Sequence, residues 1–318
     1  MVSGQSDLVA KDQVGRIPNV LRTDVWAETE GWHIVRVLIT GADGQLGCEL
    51  QRVLSGQSLV LGIWPEFDLL KAEAERFILD ARPDVVVHAG AYTDVEKAEQ
   101  EPDLAMAVNA EGTERVARAT AKAGARLIAI STDYVFDGQK RSPYEETDCT
   151  NPLNAYGRSK LEGERRALAH CPNTLIVRTS WLYGLHGKNF VKTILRLAGE
   201  QSELRVVGDQ RGSPTHAGDL ASALARVLGT DLRGVAHATG SSDCTWQEFA
   251  SAIVALAGFS VMVRPITTEE AHRAALRPPY TVLANRVLAK AGIVLPHWHE
   301  ALARFMNEVR AGAPAERV

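Results

Sequence analysis

Cysteine, aromatic residues and long apolar runs are all scarce in this chain of 318 residues. Its four cysteines, Cys48, Cys149, Cys171 and Cys244, lie far apart and form no CxxC pair. That spacing argues against a zinc site or other metal site and against a disulfide framework, and it points to a reducing cytoplasm. No apolar run approaches the ~18 residues of a membrane-spanning helix. The polar N-terminus carries no signal-peptide pattern, so no membrane attachment is expected. A net charge of −4 leaves no basic surplus for nucleic acid. Repeats and low-complexity segments are absent as well. What remains is a hydrophobic fraction of 45%, enough to bury the core of one large α/β domain or two smaller ones.

The apolar residues are grouped in short runs. Residues 34–39, 58–63, 84–89, 126–131 and 174–178 read as strands. Helical spacing follows at 48–54, 68–80, 98–124 (one long helix or two) and 155–171. Continuous apolar strands alternating with helices predict an α/β fold built on a doubly wound parallel sheet, covered on both faces. Beyond Trp181 the alternation loosens. Helices are expected at 190–199, 218–228, 246–257 and 299–310, strands at 204–207 and 235–238, and loops at 209–215 and 265–280.

The first strand runs into Thr40-Gly41-Ala42-Asp43-Gly44-Gln45-Leu46-Gly47 and then a helix. Strand, glycine turn and helix is the order a dinucleotide diphosphate requires. Gly41 permits the tight turn, Gly44 lets the backbone approach phosphate, and Gly47 lets helix and strand pack closely. The helix N-terminus offers free N–H groups and the positive end of its dipole. The second strand ends in Leu61-Gly62-Ile63-Trp64-Pro65, with neither an acid for a ribose 2′-OH nor an arginine for a 2′-phosphate, so NAD and NADP stay open. Asp68 reads either as a helix N-cap or as an adenine contact. Residues 33–183 are thus expected to form a Rossmann-type domain. Residues 184–318 should supply mainly a substrate-binding lobe, with about 212–239 returning to the main domain. Residues 1–32 are expected to be an arm without catalytic role.

A second constellation joins Ser131-Thr132-Asp133-Tyr134 at the end of the fourth strand to Tyr156-Gly157-Arg158-Ser159-Lys160 at the start of a helix. Tyr156 and Lys160 are four apart and share a helix face. An ammonium near the phenol should lower its pKa from ~10 and ready Tyr156 to exchange a proton with a substrate oxygen. Thr132 can hydrogen-bond the same oxygen, and Lys160 can hold a nicotinamide ribose. Tyr156 and Lys160 are therefore read as both catalytic and cofactor-facing in a hydride-transfer site.

Together these motifs resemble the extended short-chain dehydrogenase/reductase superfamily. Within it, residues 178–184 (RTSWLYG), 209–215 (DQRGSPT), Cys244-Thr245-Trp246 and Leu295-Pro296-His297-Trp298 resemble the dTDP-4-dehydrorhamnose reductases, over about residues 35–306. The resemblance implies Thr132, Tyr156 and Lys160 as the catalytic set. It implies Gly44, Gln45, Leu46, Asp68, Leu69, Ala89, Ala91, Tyr92 and Thr93 along the cofactor. Thr132, Asp133, Tyr134 and Trp181 would meet a dTDP-linked deoxysugar, with Asn189 and Arg211 towards its nucleotide end. NADP(H) is the implied cofactor, with NAD(H) also admitted. Some members dimerise through magnesium held by three glutamates. Glu49 matches the first, but the other two positions fall on Gly218 and Arg286, which argues against such a bridge; Glu49 then reads as an exposed helix residue, and the chain as monomer or homodimer.

Four other readings share parts of the pattern. A nucleotide-sugar dehydratase needs an acid where Tyr134 stands, and a C4 epimerase lacks the RTSW and DQRGSPT segments. A different 4-ketoreductase of nucleotide deoxysugars shares the whole constellation. A non-catalytic regulatory subunit, like that of methionine adenosyltransferase, fits the dinucleotide turn and the N-terminal extension.

Overall fold

A computed structural model of the chain describes residues 34–312. The expected arm at 1–32 lies outside the described residues. In chain order the strands are β1 (Arg36–Thr40), β2 (Ser58–Gly62), β3 (Val85–His88), β4 (Arg126–Thr132), β5 (Thr174–Thr179), β6 (Leu182–Tyr183), β7 (Glu203–Val207), β8 (Arg211–Gly212), β9 (Thr215–His216), β10 (Gly234–His237), β11 (Cys244–Thr245) and β12 (Met262–Ile266). The helices are α1 (Gln45–Val53), α2 (Glu73–Ala81), α3 (Val95–Gln100), α4 (Pro102–Met106), α5 (Thr113–Lys122), α6 (Ala155–His170), α7 (Phe190–Glu200), α8 (Ala217–Leu228), α9 (Trp246–Ala257), α10 (Arg286–Lys290) and α11 (Trp298–Gly312).

Six strands form one parallel sheet in the order β10-β5-β4-β3-β1-β2. The order changes direction between β1 and β3, and there the strand ends leave a crevice. Strand alternation sorts the core. Val37 and Ile39 face one side with Leu46, Leu50, Leu220 and Leu224 of α1 and α8. Leu38 faces the other with Ile78, Val116 and Leu127. A separate apolar cluster, with Tyr183, Val191, Phe249, Ile253, Leu302 and Phe305, holds α7, α9 and α11 together. The strand expected at 235–238 is present as β10 and pairs with β5 in the main sheet.

The stretch expected as one long helix or two holds the end of α3 and, restarted by Pro102, a second helical run in which a π-helical turn at Ala107–Gly112 joins α4 to α5. Three expectations are corrected. The 209–215 segment carries β8 and β9, which pair with β11 and β6. The 265–280 segment is not all loop, because Pro265 lies in β12, paired with β7 in a two-stranded ribbon. Proline is tolerated in such an edge strand because that side of the ladder needs no N–H. Finally, Glu49 is not on an exposed face: it is 3% exposed, and its carboxylate accepts from Arg52 Nε at 2.9 Å.

Candidate active site

The crevice beside β1 opens into a cleft of about 760 Å³. At its floor Gly41 adopts φ +64°, and a Cβ there would stand 2.7 Å from Gly90 Cα in the turn after β3. At Gly47 a Cβ would stand 2.2 Å from the Gly41 carbonyl oxygen. Both positions therefore demand glycine, one for conformation and close approach, the other for helix-on-strand contact. Gly44 is the N-cap of α1 and supplies no side-chain cap, so the first-turn N–H groups of Gln45, Leu46 and Gly47 are left for an anion. Gly41, Asp43, Gly44, Gln45, Leu46 and Gly47 all line the cleft. This glycine-rich helix start, with no side-chain cap, fits a dinucleotide diphosphate.

The ends of β4 and β5 supply the next wall, with Thr132 in register with Thr179. Asn154 caps α6 by accepting from the Gly157 N–H at 2.7 Å. A Cβ at Gly157 would lie 2.2 Å from the Tyr134 carbonyl oxygen, so only glycine lets the first turn of α6 press against the turn after β4. That contact sets Tyr156 edge-on to Tyr134, ring centroids 6.1 Å apart. Thr132, Asp133, Tyr134, Tyr156 and Lys160 all line the cleft.

The electrostatics differ from the expectation at Tyr156. Burial pushes its phenol up to about 12, the Thr132 hydroxyl pulls it down, and the Asp133 charge raises it again. Lys160 does not offset the burial, because its Nζ donates to the Ile130 carbonyl oxygen at 2.8 Å. Burial pulls Lys160 down to about 8, against the pull of the Glu164 carboxylate. Glu164 itself accepts from Arg178 Nε and Nη2, at 2.9 and 2.7 Å, and from the Ser131 hydroxyl at 2.5 Å. Thr132 donates to Asp133 Oδ1 at 3.0 Å and accepts from the Tyr134 N–H at 3.2 Å. Burial raises the Asp133 carboxyl to about 6, in spite of bonds from Thr281 and Thr132. Its Oδ2 has no partner among the described residues. Burial likewise raises the Tyr134 phenol.

The predicted residues divide between cleft and surroundings. Ala89, Ala91, Thr93 and Trp181 line the cleft. Five others stand outside its lining. Asp68 is not a helix N-cap: it precedes α2 by five positions and accepts from the Leu70 N–H at 2.9 Å in a local turn. Leu69 lies behind Gly90. The Tyr92 hydroxyl donates to Glu101, and its backbone is tied to Asn109. Asn189 caps α7 and donates to Gln45 Oε1 at 3.0 Å and the Gly184 carbonyl at 2.8 Å. Arg211 is paired with Asp243 at 2.5 Å and Glu248 at 3.4 Å. The cleft also holds Gly90, Lys188 and Trp246, which sequence reasoning did not assign to it. A buried Asn109 that bridges Tyr92 and Ser159 was equally silent. Only Trp246 had a readable cue, its place after Thr245 with Glu248 three positions on, a helix-start signature.

The model of the RmlD substrate binding domain family matches residues 35–311. The chain belongs to the dTDP-4-dehydrorhamnose reductase family. A dTDP-4-dehydrorhamnose reductase of Burkholderia thailandensis is 43% identical over 86% of this chain and 99% of that protein. The spore coat polysaccharide biosynthesis protein SpsK of Bacillus subtilis is 40% identical over 86% of this chain and 98% of that protein. Among solved structures, the Bacillus anthracis dTDP-4-dehydrorhamnose reductase in complex with NADP superposes with a TM-score of 0.85. It is 41% identical and covers 87% of this chain and all of that one. The reductase family thus accounts for the whole described part of the chain, from β1 to α11. Among the described residues no helix is long and apolar enough to cross a membrane.

Proposed function

We propose that this chain reduces the C4 ketone of dTDP-4-dehydro-β-L-rhamnose with NADPH, giving dTDP-β-L-rhamnose. The observation that carries the reading is one cleft, lined by the uncapped start of α1 together with Thr132, Tyr156, Lys160 and Trp181. It occurs in a chain whose relatives of about 40% identity are named for that reaction. When bound, the nicotinamide supplies the hydride. Tyr156, neutral at physiological pH with a value of about 12, gives its proton to the ketone oxygen. Thr132 turns its hydroxyl from Asp133 to the same oxygen. Lys160, cationic below about 8, turns its Nζ from the Ile130 carbonyl to steady the nicotinamide ribose and the phenolate that Tyr156 leaves behind. The first turn of α1 takes the diphosphate, and Ala89, Ala91 and Thr93 border the dinucleotide. Because β2 ends without an acid or an arginine, NAD(H) is accepted as well as NADP(H).

In this reading the segment after residue 183 chooses the sugar and the sheet domain holds the dinucleotide. The enzyme works in the cytoplasm on a dTDP-linked sugar, as monomer or homodimer. The test follows NADPH absorbance with purified chain and enzymatically made dTDP-4-dehydro-L-rhamnose, and identifies the product. Oxidation with formation of dTDP-L-rhamnose is expected. NADPH binding without oxidation would overturn the assignment in favour of another ketosugar or of a regulatory subunit.

A further inference from the structure

The Trp181 backbone has φ +47°, a left-handed conformation that a bulky residue adopts only when its surroundings hold it there. The holders are visible. Its carbonyl accepts from the Thr215 N–H at 3.3 Å, and the preceding Ser180 hydroxyl donates to the Ser213 carbonyl at 2.6 Å. The indole lies parallel to that of Trp246, with centroids 3.5 Å apart and planes inclined by 8°. On the Nε1 side, a Cβ at Gly212 would stand 2.6–2.8 Å from the ring, so a side chain there would displace it. Trp246 in turn is the first residue of α9, behind a complete capping box made by Thr245 and Glu248. Arg211, next to Gly212, is paired with Asp243 and Glu248 and so ties β8 to the start of α9. Both indoles are half-buried, and both line the same cleft as Tyr156 and Lys160.

We propose that Trp246 is a substrate-positioning residue: it backs Trp181, and the stacked indoles form a rigid apolar wall against which the apolar face of the deoxyhexose ring packs. Arg211 serves the same wall from behind, by fixing the ribbon that seats it. This rests on the reductase reading for the identity of the sugar, but the stack itself does not. Two indoles in parallel contact couple their electronic transitions; the resulting circular-dichroism couplet, scaled by the in-plane angle between the two transition dipoles, disappears with either partner. An aromatic ring at 246 preserves a backing plane, whereas an aliphatic chain fills volume without one.

The experiment compares W246F and W246L with wild type, after wild-type turnover of the ketosugar has been established. The couplet should be lost in both variants, as in W181F. W246L should raise KM for the ketosugar about tenfold with kcat within about threefold and NADPH affinity unchanged, and W246F should hold KM within about threefold of wild type. A wild-type KM in W246L, or a couplet that survives removal of Trp246, overturns the proposal. Equal loss of kcat and of NADPH binding in W246F and W246L also overturns it, since Trp246 would then serve only the fold. Failure of wild-type turnover with the couplet intact would instead strike the choice of sugar.

Discussion

At Tyr156 burial decides the state of the phenol, opposed only by the Thr132 hydroxyl. The spacing of Tyr156 and Lys160 predicts a lowered phenol pKa, yet Nζ is engaged by the Ile130 carbonyl and the phenol is pushed up to about 12. For a reduction this is the useful state, since only a neutral phenol has a proton to give. Tyr156→Phe should therefore lower kcat by roughly 10²–10⁴-fold and leave NADPH affinity unchanged; wild-type turnover would show that another group is the acid. Asp133 provides a stability test. Its value of about 6 in the folded chain lies above the ordinary 3.8, so between those values the folded form holds a proton that the unfolded form has released. Stability is undiminished below about 4, falls as pH rises through about 6, and stays lower above. The loss is a few kcal/mol at roughly 1.4 kcal/mol per pKa unit. Asp133→Asn removes that buried charge. Thermal melts should show the variant more stable than wild type at pH 7 to 8, with the gap closing towards pH 4. A gap independent of pH would mean that Asp133 titrates normally.

Among the elements, glycine separates positions where space is used from positions where it is not. A methyl at Gly47 meets the Gly41 carbonyl oxygen at 2.2 Å, which forces α1 away from β1. Gly199, in α7, has nothing within 4 Å of such a methyl. Gly47→Ala should lower Tm and weaken NADPH binding by at least tenfold. Gly199→Ala should stabilise by about 0.5–1 kcal/mol through helix propensity and leave binding alone. Paired melts and NADPH titrations decide between these outcomes. The same elements mark what was legible in the sequence. β1, its glycine turn and α1 are contiguous, so local pattern sufficed, and likewise for Tyr156 and Lys160 on one helix. The return of residues 234–237 to the sheet was visible as an isolated apolar run. By contrast, β12 depends on pairing with β7 more than fifty residues earlier, and Pro265 within it reads locally as a breaker. Asn109 owes its place to a π-helical turn, which has no signature in residue spacing. Trp246 meets Trp181 only because β8 and β11 bring together segments that are distant in sequence. The raised Tyr156 phenol has a related cause: spacing gives the direction of a side chain, but burial is a property of the assembled cleft.

On the scale of the molecule, the question is whether a divalent cation joins two copies through Glu49, as the family resemblance raises. The surroundings of Glu49 do not fit a cation. Its carboxylate accepts from Arg52 Nε at 2.9 Å, so a guanidinium already supplies the positive charge. Nearby, Gly218 offers no ligand atom on a side chain, and Arg52 Nη2 lies 3.3 Å from where its Cβ would be. The remaining family position is Arg286, a cation paired with Glu145 at 2.8 Å. Binding magnesium here would require removing Arg52 from a carboxylate that is only 3% exposed and leaving that carboxylate without its hydrogen bond. The loss of a charge-assisted bond at a buried group costs about 1.5–3 kcal/mol before the ion contributes anything. Light scattering should therefore return the same mass in magnesium and in EDTA, and Tm should be unchanged between them. Arg52→Ala frees the Glu49 carboxylate and separates the two causes. If the variant acquires a magnesium-dependent Tm while the wild type has none, the guanidinium is what excludes the ion. A wild-type mass that rises with magnesium would mean that Glu49 exchanges Arg52 for the metal when two copies meet.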